Sequence, residues 1–261
     1  MKDFIVKKIG RKPKLKNPVL IEGLPGVGNV ARISVDFLVE KLKAKKIYEI
    51  YSFYFPNSVF ITEEKTLELP KIEIYHKKAG KKDLLFLVGD AQPAEEYPSY
   101  SFSQNIVEFA KDLKVKEIIT LGGIASKTHS KKLKVHGAFT DKKYKKKLEK
   151  IGVDFKRKGS IMLIGAAGLM LYLGKLENIK GFTLLASTSP EPNSLGFEAA
   201  KAIVDILKKY FKLKISTKDL NSKMKKRNNK QVPKLKKRLI KKIRKLPQQE
   251  EIDDACMGYI G

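Results

Sequence analysis

Gly23, Gly26 and Gly28 lie in the stretch Val-Leu-Ile-Glu-Gly-Leu-Pro-Gly-Val-Gly-Asn-Val-Ala (19–31), where bare backbone N–H groups could cradle an anion. Gly23-x-x-x-x-Gly28 has the interval of a P-loop. Asn29 and Val30, however, stand where that motif supplies a lysine for phosphate and a hydroxyl for magnesium, which excludes it. Gly26-Val27-Gly28-Asn29-Val30-Ala31 also fits the dinucleotide fingerprint G-x-G-x-x-A, in which an acidic residue about 20 positions on holds the ribose. Glu49 is the candidate, but it falls early in the strand-like run 46–55 and not at its end, where a ribose would meet it. The third possibility needs no ligand: a strand-to-helix turn that uses small residues for close packing. The residues favour this one.

Other candidates sit where apolar runs end, the place at which open α/β sheets hold ligands. Asp90, His129 and Glu95 or Glu96 can titrate, and Gln92 beside Asp90 suits a turn cap. No nucleophile elbow G-x-S-x-G and no zinc pair H-E-x-x-H occurs. Cys256 is the only cysteine, so there is neither a disulfide framework nor a cysteine-built metal site. We expect no cofactor and no metal, and an action through protein contacts. The competing expectation is an enzyme or a nucleotide or small-ligand binder whose cleft is formed by Gly23, Gly26, Gly28, Asp90, Gly122 and Gly123.

The elements that must position these residues read as follows. Phe4 and Val6 mark an edge strand, and 19–23 a buried one. A helix over 31–42 puts Ile33, Phe37, Leu38 and Leu42 on one face. The runs 47–55 and 58–62 and the alternation Ile72-Glu73-Ile74-Tyr75 predict an antiparallel insertion within the sheet or at its edge. Leu84-Leu85-Phe86-Leu87-Val88 is apolar throughout, the mark of a central parallel strand. A helix over 99–113 follows. Strands are predicted at 118–121, closing on Gly122-Gly123, at 161–164, closing on 165–168, and at 182–186. The segment 128–140 turns strand-like around His129 and His136. Helices are predicted at 141–150, up to Leu176, and over 194–211 with Phe197, Ala200, Ile203, Val204 and Leu207 on one side. The fold class expected is α/β, a three-layer α/β/α sandwich with a mostly parallel sheet.

The 261 residues suit one large domain (1–213) with a basic helical extension (214–261). Lys and Arg number 55 against 28 acidic residues, a net charge of +27, nearly all of it lysine. Base readout favours arginine forks, so the charge licenses nonspecific polyanion contact and little more. From 208 to 245 there are eighteen Lys or Arg against Asp219. Within that segment Pro233 opens a helical pattern with Leu235, Leu239, Ile243 and Leu246 on one stripe, fit for a partner groove, an acidic surface, a membrane face or the protein's own domain. The chain ends acidic, then apolar: Tyr259, Ile260, Gly261. The start has no apolar signal core, and the longest apolar run, 161–173, is shorter than the ~20 residues of a membrane span. A cytoplasmic protein with no membrane contact is expected.

The order Gly-Leu-Pro-Gly-Val-Gly-Asn-Val-Ala (23–31), Gly-Asp-Ala-Gln-Pro (89–93), Leu-Gly-Gly (121–123), Gly-Ala-Ala-Gly-Leu (165–169) and Leu-Leu-Ala-Ser-Thr (184–188) resembles the proteasome assembly chaperone family. The likeness is to its archaeal branch in particular, whose members have carried ATP-grasp-like labels, and it spans about residues 15–212. It implies a sandwich similar to nucleoside phosphorylases and hydrolases, ATP-independent and non-catalytic action, homo-oligomerisation, and binding to proteasome α subunits or the α ring. Related members end in hydrophobic–Tyr–any residue, which inserts between α subunits. This chain departs by one place: Tyr259 is third from the end and Ile260 penultimate. The partner-binding residues so implied are Tyr259, Ile260 and Gly261, with Leu235, Leu239 and Ile243 on the basic stripe.

Overall fold

The computed structural model describes residues 3–10, 13–126, 133–156, 162–191, 194–218 and 220. The strands are β1 (Phe4–Lys8), β2 (Val19–Gly23), β3 (Lys45–Ser52), β4 (Phe60–Ile61), β5 (Leu67–Glu68), β6 (Ile72–Ala79), β7 (Lys82–Gly89), β8 (Glu117–Ala125), β9 (Val135–Phe139), β10 (Val153–Asp154) and β11 (Lys180–Thr188). The helices are α1 (Val30–Leu42), α2 (Glu96–Asp112), α3 (Tyr144–Ile151), α4 (Ala166–Leu176) and α5 (Phe197–Phe211), with a 3-10 turn at Val27–Asn29 before α1. Nine strands form one sheet in the order β1-β3-β6-β7-β2-β8-β11-β9-β10; β4 and β5 make a separate hairpin.

Alternation along the strands divides the core between the two faces of the sheet. Val19, Ile21, Phe86, Ile119 and Phe182 face one layer, with Ile33 and Phe37 of α1, Leu148 of α3 and Ile203 and Leu207 of α5. Leu20, Leu85, Leu87 and Ile118 face the other, with Phe102 and Ile106 of α2 and Met170 of α4. The helices therefore lie on both sides, as the periodic patterns require. Among the described residues after α5, Leu213, Thr217 and Leu220 are buried on the domain.

The sheet is mixed, which corrects the mostly parallel expectation. β7–β2, β2–β8, β8–β11 and β9–β10 are parallel. β1–β3, β3–β6, β6–β7 and β9–β11 are antiparallel. The cause is local: Ala79 pairs with Lys82 across Gly80, whose φ is +60°, and so tight a turn can only join antiparallel strands. The predicted edge strand is β1, and the runs 47–55 and 72–75 of the predicted antiparallel insertion are β3 and β6, all on one side of β7; the run 58–62 does not join this sheet but supplies β4 of the separate hairpin.

Two further corrections concern apolar runs. Met162, Leu163 and Ile164 are not a strand; Met162 and Ile164 are exposed, while Leu163 packs near Ile124 and Leu185. A short apolar run that covers other residues has the same sequence pattern as one that joins a sheet. β8 does not close on Gly122-Gly123 but runs through them to Ala125. His129, Ile161, Leu235, Leu239, Ile243, Tyr259, Ile260 and Gly261 lie outside the described residues.

Candidate functional site

From β2 the chain passes through α1 toward β3, on one side of the sheet; from β7, α2 carries it past β2 to β8 on the other. The connections thus reverse between β2 and β8, and a crevice at the carboxyl ends of such strands is the usual ligand position in open α/β sheets. The β2–β8 ladder stops at Ile21 opposite Ile119, while β8 stays paired with β11 up to Ala125. A cleft opens where the two strands part. Its walls are Leu24, Pro25, Gly26 and Val27 from the turn, Leu121, Gly122 and Gly123 from β8, and Leu163, Ile164 and Ala167 from the approach to α4. The space is ≈ 30 Å³, about what two waters fill.

Glu22 stands where the strands separate, 1% exposed. Its carboxylate accepts the N–H of Leu24 (2.6 Å) and the N–H of Leu121 (3.2 Å), the latter a donor that the broken ladder leaves to it. Burial pushes the carboxyl up to about 7, against the opposing pull of the two backbone bonds. The chemistry of the walls is otherwise neutral. Gln92 spans them, donating Nε2–H to the Pro25 carbonyl (2.7 Å) and accepting the Ala166 N–H at Oε1 (3.4 Å), so it ties the glycine turn to the start of α4. General acid–base catalysis sets titratable groups against one another, and Glu22 has no titratable neighbour among the residues that line this cleft.

The sequence-selected glycines divide here. Gly26, Gly122 and Gly123 line the cleft. Gly23 and Gly28 serve packing: a Cβ on Gly23 would lie 2.5 Å from Val35 Cβ, and one on Gly28 would lie 2.8 Å from Thr188 Oγ1. Gly28 is also left-handed (φ +62°), and its carbonyl accepts the Gly196 N–H at 2.8 Å. A Cβ on Gly123 would overlap the Val27 carbonyl oxygen, so β8 passes directly beneath the turn. The turn is thus pressed between β8, Thr188 and the entry to α5. Asp90 is exposed, outside the cleft, and paired with Arg32 (3.4 Å), which also donates to the Gly89 carbonyl and to Asp36 (3.0 Å). Glu49 is on β3, two strands away from β7 and three from β2, held by Lys46 (2.6 Å) and Tyr51 (3.1 Å).

Glu22 is the cleft residue that sequence reasoning passed over. Its signal was a lone acid inside the apolar run Val-Leu-Ile-Glu-Gly. A second buried carboxylate, Glu117, lies at the opposite end of β8 and receives Lys82 Nζ (2.7 Å) and the Tyr210 hydroxyl. It staples α5 to β7 and β8, and burial beside that charge holds the Tyr210 hydroxyl well above its ordinary range. Among the described residues no group of three or more His, Cys, Asp or Glu is placed to hold a metal ion, and no helix is long and apolar enough to cross a membrane.

Comparison with known proteins places this arrangement. The profile of the PAC2 family matches residues 20–236. An uncharacterized protein of Methanocaldococcus jannaschii is 31% identical, over 99% of both chains. Among solved structures, PbaB of Pyrococcus furiosus, an archaeal proteasome activator, is similar with a TM-score of 0.80 at 27% identity, over 94% of this chain and 100% of that one. PbaA of the same organism, an archaeal homolog of proteasome-assembly chaperone, is similar with a TM-score of 0.68 at 25% identity, over 94% and 96%.

Proposed function

The chain belongs to the PAC2 family, and on that premise we propose that it is an ATP-independent proteasome-binding factor or assembly chaperone. It acts through contacts with proteasome α subunits and associates with itself. The observation that carries this reading is the end-to-end likeness to PbaB, an archaeal proteasome activator, at a TM-score of 0.80. The site supports it by its chemistry: the glycine turn is filled by Thr188, Val27 and Gly123, and the cleft beside it is small and apolar around one carboxyl. Of the segment 214–261, the part beyond Leu220 is the arm that reaches the partner, its basic stripe (Leu235, Leu239, Ile243) lying along an α subunit and Tyr259, Ile260 and Gly261 entering a pocket. An aromatic ring, a short apolar side chain and a terminal carboxylate suit a pocket with a basic residue at its base.

Removing the last three residues tests this. Binding to purified α subunits, measured by calorimetry, should weaken about a hundredfold, or about 2.7 kcal/mol, with the melting temperature of the core unchanged. A deletion that lowers the melting temperature and leaves α-subunit binding intact would make the tail a strap on its own domain. A second reading, a small-ligand binder, is favoured by one observation, the buried Glu22 at the wall of the cleft.

A further inference from the structure

The hairpin β4–β5 has an apolar face that nothing among the described residues covers. Phe60 pairs with Glu68 and Ile61 with Leu67. Side chains alternate along a strand, so Val59, Ile61, Leu67 and Leu69 share one face, and Phe60 and Glu68 take the other. The four aliphatic residues are 51–73% exposed, and none belongs to either layer of the core. A two-stranded hairpin is marginal in water without a further strand or a packed surface, and contiguous exposed apolar area marks an interface.

We infer that this hairpin face is the surface on which a second copy of the chain sits; this rests on the self-association proposed above and locates it. Two observations choose the occupant. The face is aliphatic. Non-obligate interfaces are only about as apolar as the rest of a protein surface, whereas contacts between like subunits resemble a domain core and are more apolar. A hairpin that needs constant cover suits a partner always present with it. The rim at the tip of the hairpin, by contrast, carries Glu63 and Glu64 against Lys65, in a chain of net charge +27, while Glu68 on the other face is paired with Lys71 (3.5 Å). An acidic rim repels nucleic acid and attracts a basic body, and another copy of this lysine-rich chain is such a body. The same acidity opposes two hairpins meeting each other, so the hairpin meets a lysine-bearing face of its neighbour.

Sedimentation velocity of the full-length chain tests this. The wild type should assemble at micromolar concentration. Ile61→Glu with Leu67→Glu should shift it to the monomer, a loss of at least about a hundredfold in affinity. The far-UV spectrum should stay unchanged, because both residues are exposed, and the melting temperature should fall only to that of the wild type diluted to its monomer. Tyr172→Glu with Leu176→Glu, equally exposed on α4, should leave assembly intact. Glu63→Gln with Glu64→Gln should weaken assembly and flatten its salt dependence; tighter assembly would overturn the acidic-to-basic pairing. A monomeric wild type would remove the self-association itself. A wild type and a hairpin variant that assemble equally would leave self-association standing and overturn the hairpin as its site. Should the double glutamate chain lose its fold, Ile61→Ser with Leu67→Ser decides by the same readout.

Discussion

Replacing Glu22 by Gln isolates the electrostatics of the cleft. In the folded chain its carboxyl titrates at about 7, against 4.5 as the ordinary value. Below the lower value both the folded and unfolded chains hold the proton, and the group adds no pH dependence. Between the two values the folded chain keeps a proton that the unfolded chain has released, so stability falls as pH rises. Above about 7 both are ionised, and the folded chain carries the full cost of a buried charge, about 3 kcal/mol for a shift of this size. Gln carries no charge, but where the protonated acid can turn its O–H aside and still present an oxygen to each N–H, the amide offers one acceptor only. Its NH2 must face the N–H of Leu24 or of Leu121, a conflict that costs about 1–3 kcal/mol. The variant should therefore be the less stable chain near pH 5 and equal to or more stable than wild type near pH 8. Urea unfolding at pH 5, 6, 7 and 8 reads this directly, as a difference between variant and wild type that changes by about 3 kcal/mol over the series. Parallel stability curves for the two chains would refute a raised Glu22 and the account of the cleft built on it.

Gly123→Ala pushes a methyl into the Val27 carbonyl oxygen, and urea unfolding should show a loss of about 1–3 kcal/mol, as for other overpacked sites; an unchanged midpoint would mean the turn is looser than its packing indicates. Thr120 and Thr183 lie side by side on β8 and β11, each with a buried hydroxyl that has no hydrogen-bond partner among the described residues. Thr120→Val should therefore be neutral or stabilising by about 1 kcal/mol in thermal melts, where a clear loss would point to an unseen partner. Titration calorimetry with ATP–magnesium, ADP or NAD should be silent at millimolar ligand, because Asn29 and Val30 replace the residues that hold phosphate and magnesium; a micromolar isotherm would instead favour ligand binding. Any nucleic-acid binding should ignore sequence and fall steeply with salt, and retention of one preferred sequence at physiological salt would contradict that.

The local order of elements was legible in the residues themselves. Val19, Leu20 and Ile21 read as a strand buried on both faces, Ile33, Phe37 and Leu38 as one face of a helix, and Phe197, Ile203 and Leu207 as another, because burial on a fixed face imposes a fixed period on the sequence. That the glycine turn lacks the Lys and Ser/Thr of a P-loop after Gly28 was legible too. What the residues left open depends on partners far along the chain. Gly122 and Gly123 look like a strand's end, yet the strand runs on, because the backbone of Val27 lies against it and leaves no room for a side chain. Met162 to Ile164 look like a strand, yet Leu163 and Ile164 wall the cleft, with Leu163 packed on Ile124 and Leu185 rather than paired in the sheet. Glu22 looks like an interruption in an apolar run. Only the parting of β2 from β8 leaves a backbone donor for it and buries the carboxyl that accepts it, and ladder register and burial are properties of the assembled sheet that no local stretch contains.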